Sequence, residues 1–236
     1  WGLNHIYAKN EGDLFMAQGY LAARDRLFQF EIWRRRATGT VAEILGPREL
    51  TRDIGTRLHR FRGNLDAELN HYHPRGKAII EAYVRGINAY VDEAMRAPGS
   101  LPIEFRMLGI TPGKWTPEVV ISRHQGLTSN VTNEAAHVRA IAALGSADAV
   151  KDLLWIQGGE PEFRLDPFID AATFPGDVLK LYNAFRDPID FRPEDIVPAY
   201  RGQARAAAVA PPDDRVALLR APDGTRVADS DIGSNN

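Results

Sequence analysis

The sequence predicts a mainly α-helical chain with short strands near its two ends. Three observations carry that expectation. Apolar residues recur at three- and four-residue steps from Leu14 to about Arg36. A second stripe of the same kind, Ile79, Ile80, Tyr83, Val84, Ile87, Tyr90 and Val91, runs through residues 74–97. Thr116-Pro117-Glu118 places a capping residue before a proline suited to a first helical turn.

Taken in order, residues 1–10 (WGLNHIYAKN) alternate around Ile6 and Tyr7 and predict a short strand leading into Asn10-Glu11-Gly12-Asp13. Asn10 or Asp13 is suited to cap the following helix, because a short acceptor side chain satisfies its free amides. On that helix the face Leu14, Ala17, Leu21, Asp25, Phe28 and Ile32 carries one acidic exception, Asp25. Its arginines (24, 26, 34, 35 and 36) form either a solvated face or, with Asp25, a pair inside the packed domain. Thr38-Gly39-Thr40 breaks the helix, and Val41–Leu45 is a short helix closed by a left-handed Gly46. Residues 49–62 are weakly helical. Pro74 to Ala97 is the clearest helix, and a short turn of helix holds Phe105, Met107 and Leu108. The helix opened by Pro117 runs toward Leu144 with a break near Ser129-Asn130, and another follows Gly145-Ser146 to about Ile156. Prolines punctuate the remainder, with helices expected at 176–186 and 193–207 and an Asp223-Gly224 hairpin between 216–219 and 225–228.

Composition narrows function. The 236 residues hold no Cys, so disulfides, thiolate metal sites and cysteine nucleophiles are excluded. The formal net charge of -2 carries no nucleic-acid footprint, and no apolar run reaches the roughly 18 residues of a membrane span. The six histidines make no metal-ligand spacing and read as structural or surface residues. Glycine-rich phosphate loops and the GxSxG elbow are absent. What remains is Gly233-Ser234-Asn235-Asn236. A serine becomes a nucleophile once a base takes its proton, and its own α-amine is such a base if the bond before it is cut. Glycine at 233 eases the turn that such a cut requires. On these grounds alone a Gly-Ser pair is equally a polar tail.

The segment Ala17-Gln18-Gly19-Tyr20-Leu21-Ala22-Ala23-Arg24-Asp25-Arg26-Leu27-Phe28-Gln29, continuing through Arg34-Arg35 to Gly39-Thr40-Val41-Ala42-Glu43-Ile44-Leu45-Gly46, resembles the penicillin acylase family. So do His5-Ile6-Tyr7-Ala8, Leu101-Pro102 with Phe105 and Gly109, Thr111-Pro112 with Trp115 and Pro117, and the closing Gly233-Ser234-Asn235. The resemblance covers residues 1–145 densely, fades over 146–230 and returns at the end. It implies part of an αββα N-terminal-nucleophile amidohydrolase, exported to the periplasm or secreted, whose precursor cuts itself into an α chain and a β chain. Residues 1–205 would be the helical α-chain region, 206–233 a spacer with the hairpin, and 234–236 the start of the β chain. Ser234 would be the nucleophile and Gly233-Ser234 the cleavage junction. Glu134 would be one ligand of a structural calcium ion, a hard cation that takes oxygen donors; the other reading of Glu134 is a solvated helix residue. His124, Leu127 and Thr128 occupy acyl-pocket positions where the family's penicillin G acylase has a Met, an Arg and a Phe, so phenylacetyl specificity does not carry over. The implied partners are the chain's own β chain and a small N-acyl amide, with no organic cofactor, nucleic acid or membrane. A helical scaffold that kept the fold and lost catalysis is the alternative.

Overall fold

The structure, a computed structural model, describes residues 3–123, 130–153, 165–169 and 176–201. It is built on two long helices that cross at close range. Helix α1 spans Glu11–Thr38, with Asn10 as its cap: the side-chain oxygen accepts from the Asp13 amide at 2.8 Å. Its backbone departs from helical geometry at Arg26 (φ -142°, ψ 39°), which kinks it. It ends at Gly39, whose left-handed backbone (φ 64°) returns its amide to the carbonyls of Arg35 and Arg36.

Short helices follow: α2 (Ala42–Leu45), α3 (Leu50–His59) and α4 (Leu65–His71). The second long helix, α5, spans Gly76–Arg96. Then come α6 (Ile103–Leu108), α7 (Pro117–Arg123), α8 (Asn130–Leu144), α9 (Ala147–Leu153) and α10 (Lys180–Arg186).

Two glycines set the separation of α1 and α5. A Cβ on Gly19 would lie 2.0 Å from the Tyr83 carbonyl oxygen, and one on Gly86 would lie 1.9 Å from that of Met16. Each backbone therefore occupies the space that a side chain of the other would need. The core grows from this contact. Ala23, Leu27 and Phe30 of α1 meet Val84, Ile87 and Val91 of α5, with Leu101, Phe105, Trp115 and Val119 completing it.

The deepest face of α1 is thus Gly19, Ala23, Leu27, Phe30 and Glu31. It is not the Leu14–Ile32 face that the larger apolar residues mark, where Leu14 remains 37% exposed. Small residues let the partner helix approach, and a stripe of large residues does not reveal them. The structure places Asp25 at the surface, bonded to Asn4 and Arg24, so the alternative of an Asp25 pair inside the packed domain is not what the structure shows. Glu31, 1% exposed, holds that role instead.

Two further expectations are corrected. Residues 3–8 form no strand, because no neighbouring strand among the described residues pairs with them. Gly46 ends α2 at φ 80°, ψ -172°, outside the left-handed helical region that Gly39 adopts. The hairpin expected over 216–228 lies outside the described residues. None of the described helices is long and apolar enough to cross a membrane.

Candidate functional site

The described part of the site is a support for α7, the helix that enters the expected acyl-pocket stretch 124–128. Its take-off is fixed from two sides. Glu31 Oε2 accepts from the Gly113 amide at 2.8 Å. Asn88 brackets the next residues, its Oδ1 accepting from the Trp115 amide at 2.8 Å and its Nδ2 donating to the Trp115 carbonyl at 2.9 Å. The Trp115 ring, 5% exposed, packs on Phe30 with centroids 4.9 Å apart. Val119 then anchors α7 in the core. At the far end of α7, the Ser122 hydroxyl is buried without a hydrogen-bond partner among the described residues.

Glu31 is the hub of this support. Its carboxylate also receives Arg34 through Nε (3.0 Å) and NH2 (2.7 Å), and Arg35 through Nε (2.7 Å). Arg35 carries the connection onward to the Thr40 carbonyl at 3.2 Å and to Glu43 at 2.9 Å. Buried charges of this kind persist only when paired and hydrogen-bonded, as these are.

A second buried carboxylate, Asp53 on α3, accepts from the Val41 and Ala42 amides at 2.9 and 2.8 Å and so caps α2 from a neighbouring helix. Arg52 pairs with Glu49 and donates to the carbonyls of Asp187 and Pro188. Arg48 takes Asp195 in a two-pronged pair at 2.7 and 2.6 Å. That pair holds the Asp195 carboxyl below the usual carboxylate range, with burial opposing. Arg35 therefore ties the Thr40–Leu45 stretch to α1, and Arg48 and Arg52 tie residues 187–195 to the start of α3 and the turn before it.

Of the sequence-expected site residues, Glu134 lies within the described part. It is exposed on α8, beside the buried Ala135. One free carboxylate suits a hard cation, but among the described residues no three His, Asp or Glu side chains come together as a metal-holding group. Glu134 is thus an exposed carboxylate without companion donors among the described residues. His124, Leu127, Thr128, Gly233 and Ser234 lie outside the described residues. Glu31, Gly113, Asn88 and Asp53 were not marked by the sequence reading. The available signal was Glu31's position one residue after Phe30, on the side of α1 that Gly19 and Ala23 lead into.

With this geometry in place, comparison with known proteins identifies the class. The penicillin amidase family model matches residues 1–236, and the chain belongs to that family. It is 33% identical over 214 residues to the penicillin acylase 2 proenzyme of Pseudomonas sp. (strain SE83), covering 89% of this chain and 27% of that protein. It is also 33% identical over 165 residues to penicillin G acylase of Escherichia coli, covering 70% of this chain and 19% of that protein. A 32% identity over 168 residues links it to the acyl-homoserine lactone acylase QuiP of Pseudomonas aeruginosa, covering 70% of this chain and 19% of that protein. Among solved structures, it is similar to the thermostable penicillin G acylase of Alcaligenes faecalis, with a TM-score of 0.53 and 26% identity over 69% of this chain and 92% of that chain. The chain spans 19% to 27% of the length of these three curated relatives.

Proposed function

We propose that residues 1–236 are the N-terminal part of an amide-bond hydrolase precursor that cuts itself before Ser234 and then uses Ser234 as its N-terminal nucleophile. The observation that carries this reading is the family match, which extends to residue 236 and so includes the Gly233-Ser234 junction. The word proenzyme in one relative's name supports it. So does the solved relative, a single chain 92% covered by this one, whereas this chain covers only 19% of the Escherichia coli protein.

The chemistry follows from the residue. The freed α-amine of Ser234 takes the hydroxyl proton, Oγ attacks an amide carbonyl, the amine leaves, and water releases the acid from the acyl-enzyme. Donors for the developing oxyanion come from the rest of the polypeptide. The substrate class is a small N-acyl amide: a β-lactam side chain, an acyl homoserine lactone or a similar compound. His124, Leu127 and Thr128 shape the acyl pocket. Calcium, when bound, supplies a fixed positive charge that ties Glu134 to oxygen donors of the β chain. The assembled protein works in the periplasm or outside the cell.

The test is the full-length precursor beside its Ser234→Ala variant, followed by gel mobility and N-terminal sequencing. Wild type is expected to yield a chain beginning at Ser234, and the variant to remain one polypeptide. An uncut wild type, or a variant cut equally, overturns the proposal and leaves the helical scaffold as the better reading.

A further inference from the structure

We infer that Arg36, Arg52 and Arg48 form a clamp that decides where the N-terminal chain ends after processing: residues through Arg201 stay on the protein, and trimming is confined to 202–233. This inference rests on the proposed cut before Ser234 and adds the limit of the chain left on its N-terminal side.

Residues 187–194 have the features that a protease seeks. All but Ile189 are exposed. Among the described residues, no backbone group of 188–191 is hydrogen-bonded to another backbone group. Pro188 and Pro193 each remove a backbone donor. Nicking concentrates in exposed main chain of this kind unless something else ties it down.

The tie comes from the body of the protein, as side chains that reach main chain. Arg36, near the end of α1, donates through NH2 to the carbonyls of Phe185 and Arg186 at 3.3 and 3.4 Å. Arg52 on α3 donates to the next two carbonyls, those of Asp187 and Pro188. Arg48 donates to the Asp190 carbonyl at 3.4 Å and takes Asp195 through both terminal nitrogens. Three arginines thus hold the carbonyls of 185–188 and 190 in order and close on a carboxylate whose side chain is 5% exposed. Past that point the Val197 amide donates to the Met107 carbonyl at 2.7 Å, and Arg201 folds back onto the carbonyls of Glu194 and Ile196.

Every residue carries a carbonyl, so a clamp of this kind grips the main chain itself. Arginine suits the task because its planar fork of donors stays charged. Arg52 is 7% exposed, and its charge is paired with Glu49. None of these bonds involves a residue beyond 201. A cut further along the chain therefore leaves all of them in place, and the stretch stays docked without covalent continuity.

The experiment uses the full-length polypeptide as wild type, Arg48→Met and Arg52→Met. Intact mass gives the end of the N-terminal chain. Timed digestion with thermolysin, which cuts before large apolar residues, follows the bonds preceding Ile189, Phe191 and Ile196. In wild type the chain is expected to end within 201–233, and those three bonds to resist. In either variant they are expected to be cut about tenfold faster or more, the factor that losing a charged hydrogen bond gives, with the rest of the map unchanged. A wild-type chain ending before Arg201, or variants cut no faster, overturns the inference. If a variant is cut throughout and so has lost its fold, Asp195→Asn, which keeps both arginines, decides on the same terms. If no chain begins at Ser234, the hydrolase reading falls, and digestion of the uncut polypeptide still decides this one.

Discussion

Replacing Glu31 by alanine leaves two guanidinium groups, Arg34 and Arg35, facing a cavity where a carboxylate stood. Breaking a buried pair from one side costs about 3–5 kcal/mol, because the remaining charge is stranded. A loss of that size in the unfolding free energy of Glu31→Ala, measured by urea titration, is expected, and a loss under about 1 kcal/mol would show that the network is not a structural hub. Asp195 gives a test of the opposite kind, through pH. Its carboxyl is held below its ordinary value of 3.8 by Arg48. A depressed folded value means the pair stabilises the protein above pH 3.8 and loses that contribution as pH falls through the lower folded value. The stability gap between wild type and Arg48→Met should therefore be constant near neutrality and shrink as pH falls below 3.8. A gap that stays level throughout would remove Asp195 as the partner. At this scale the sequence shows arginines in plenty but not their partners. Asp25 and Glu31 both lie among apolar positions of α1, and only the fold, which sets Glu31 against Arg34, Arg35 and Gly113, shows which of them is buried.

Most helices were legible because their apolar spacing is long or their caps are strong. The helices α1, α5 and α7 follow that rule. Helix α4 escaped because its seven residues are too few for a period to repeat, although Asn64 caps it by accepting from Ala67 at 3.0 Å and Leu69 is 1% exposed. The short strand expected within residues 1–10 is absent over residues 3–8 for the reverse reason: a strand's hydrogen bonds lie in a neighbour, which none of the described residues supplies, whereas a helix contains its own. The α1–α5 contact yields a sharp expectation at this scale. Gly86→Ala drives a methyl into the Met16 carbonyl, which is backbone and cannot rotate away. Such overpacking costs about 1–3 kcal/mol or more, and thermal unfolding of the variant should fall accordingly. Gly99→Ala, whose added Cβ meets nothing within 4 Å, is the matched control and should leave the transition nearly unchanged.

At the scale of the whole molecule, the candidate site is divided. The described residues supply the support for α7 and one exposed carboxylate on α8. The proposed nucleophile Ser234 and the proposed pocket positions His124, Leu127 and Thr128 lie outside the described residues, and their reading came from resemblance, since a Gly-Ser pair has no geometry of its own. Glu134 lets that division be tested. If its carboxylate is one of several ligands shared between two chains, Glu134→Ala should lower the calcium content of the mature protein, measured by atomic emission after dialysis. The cleaved chains should then separate at lower denaturant. Unchanged metal content would rule Glu134 out.

The reciprocal glycines at 19 and 86 act as a key in a keyway. Because each admits only bare backbone, α1 and α5 can seat at one axial position and not one residue to either side. That single seating fixes how far Glu31 on α1 lies from Asn88 on α5 and, through their bonds to Gly113 and Trp115, where α7 begins. Lengthening or shortening either helix between the key and those contacts would shift the support as a unit. Insertions and deletions are therefore best accommodated in the exposed connection around Gly99. The segments 19–31 and 86–88 behave as a fixed ruler.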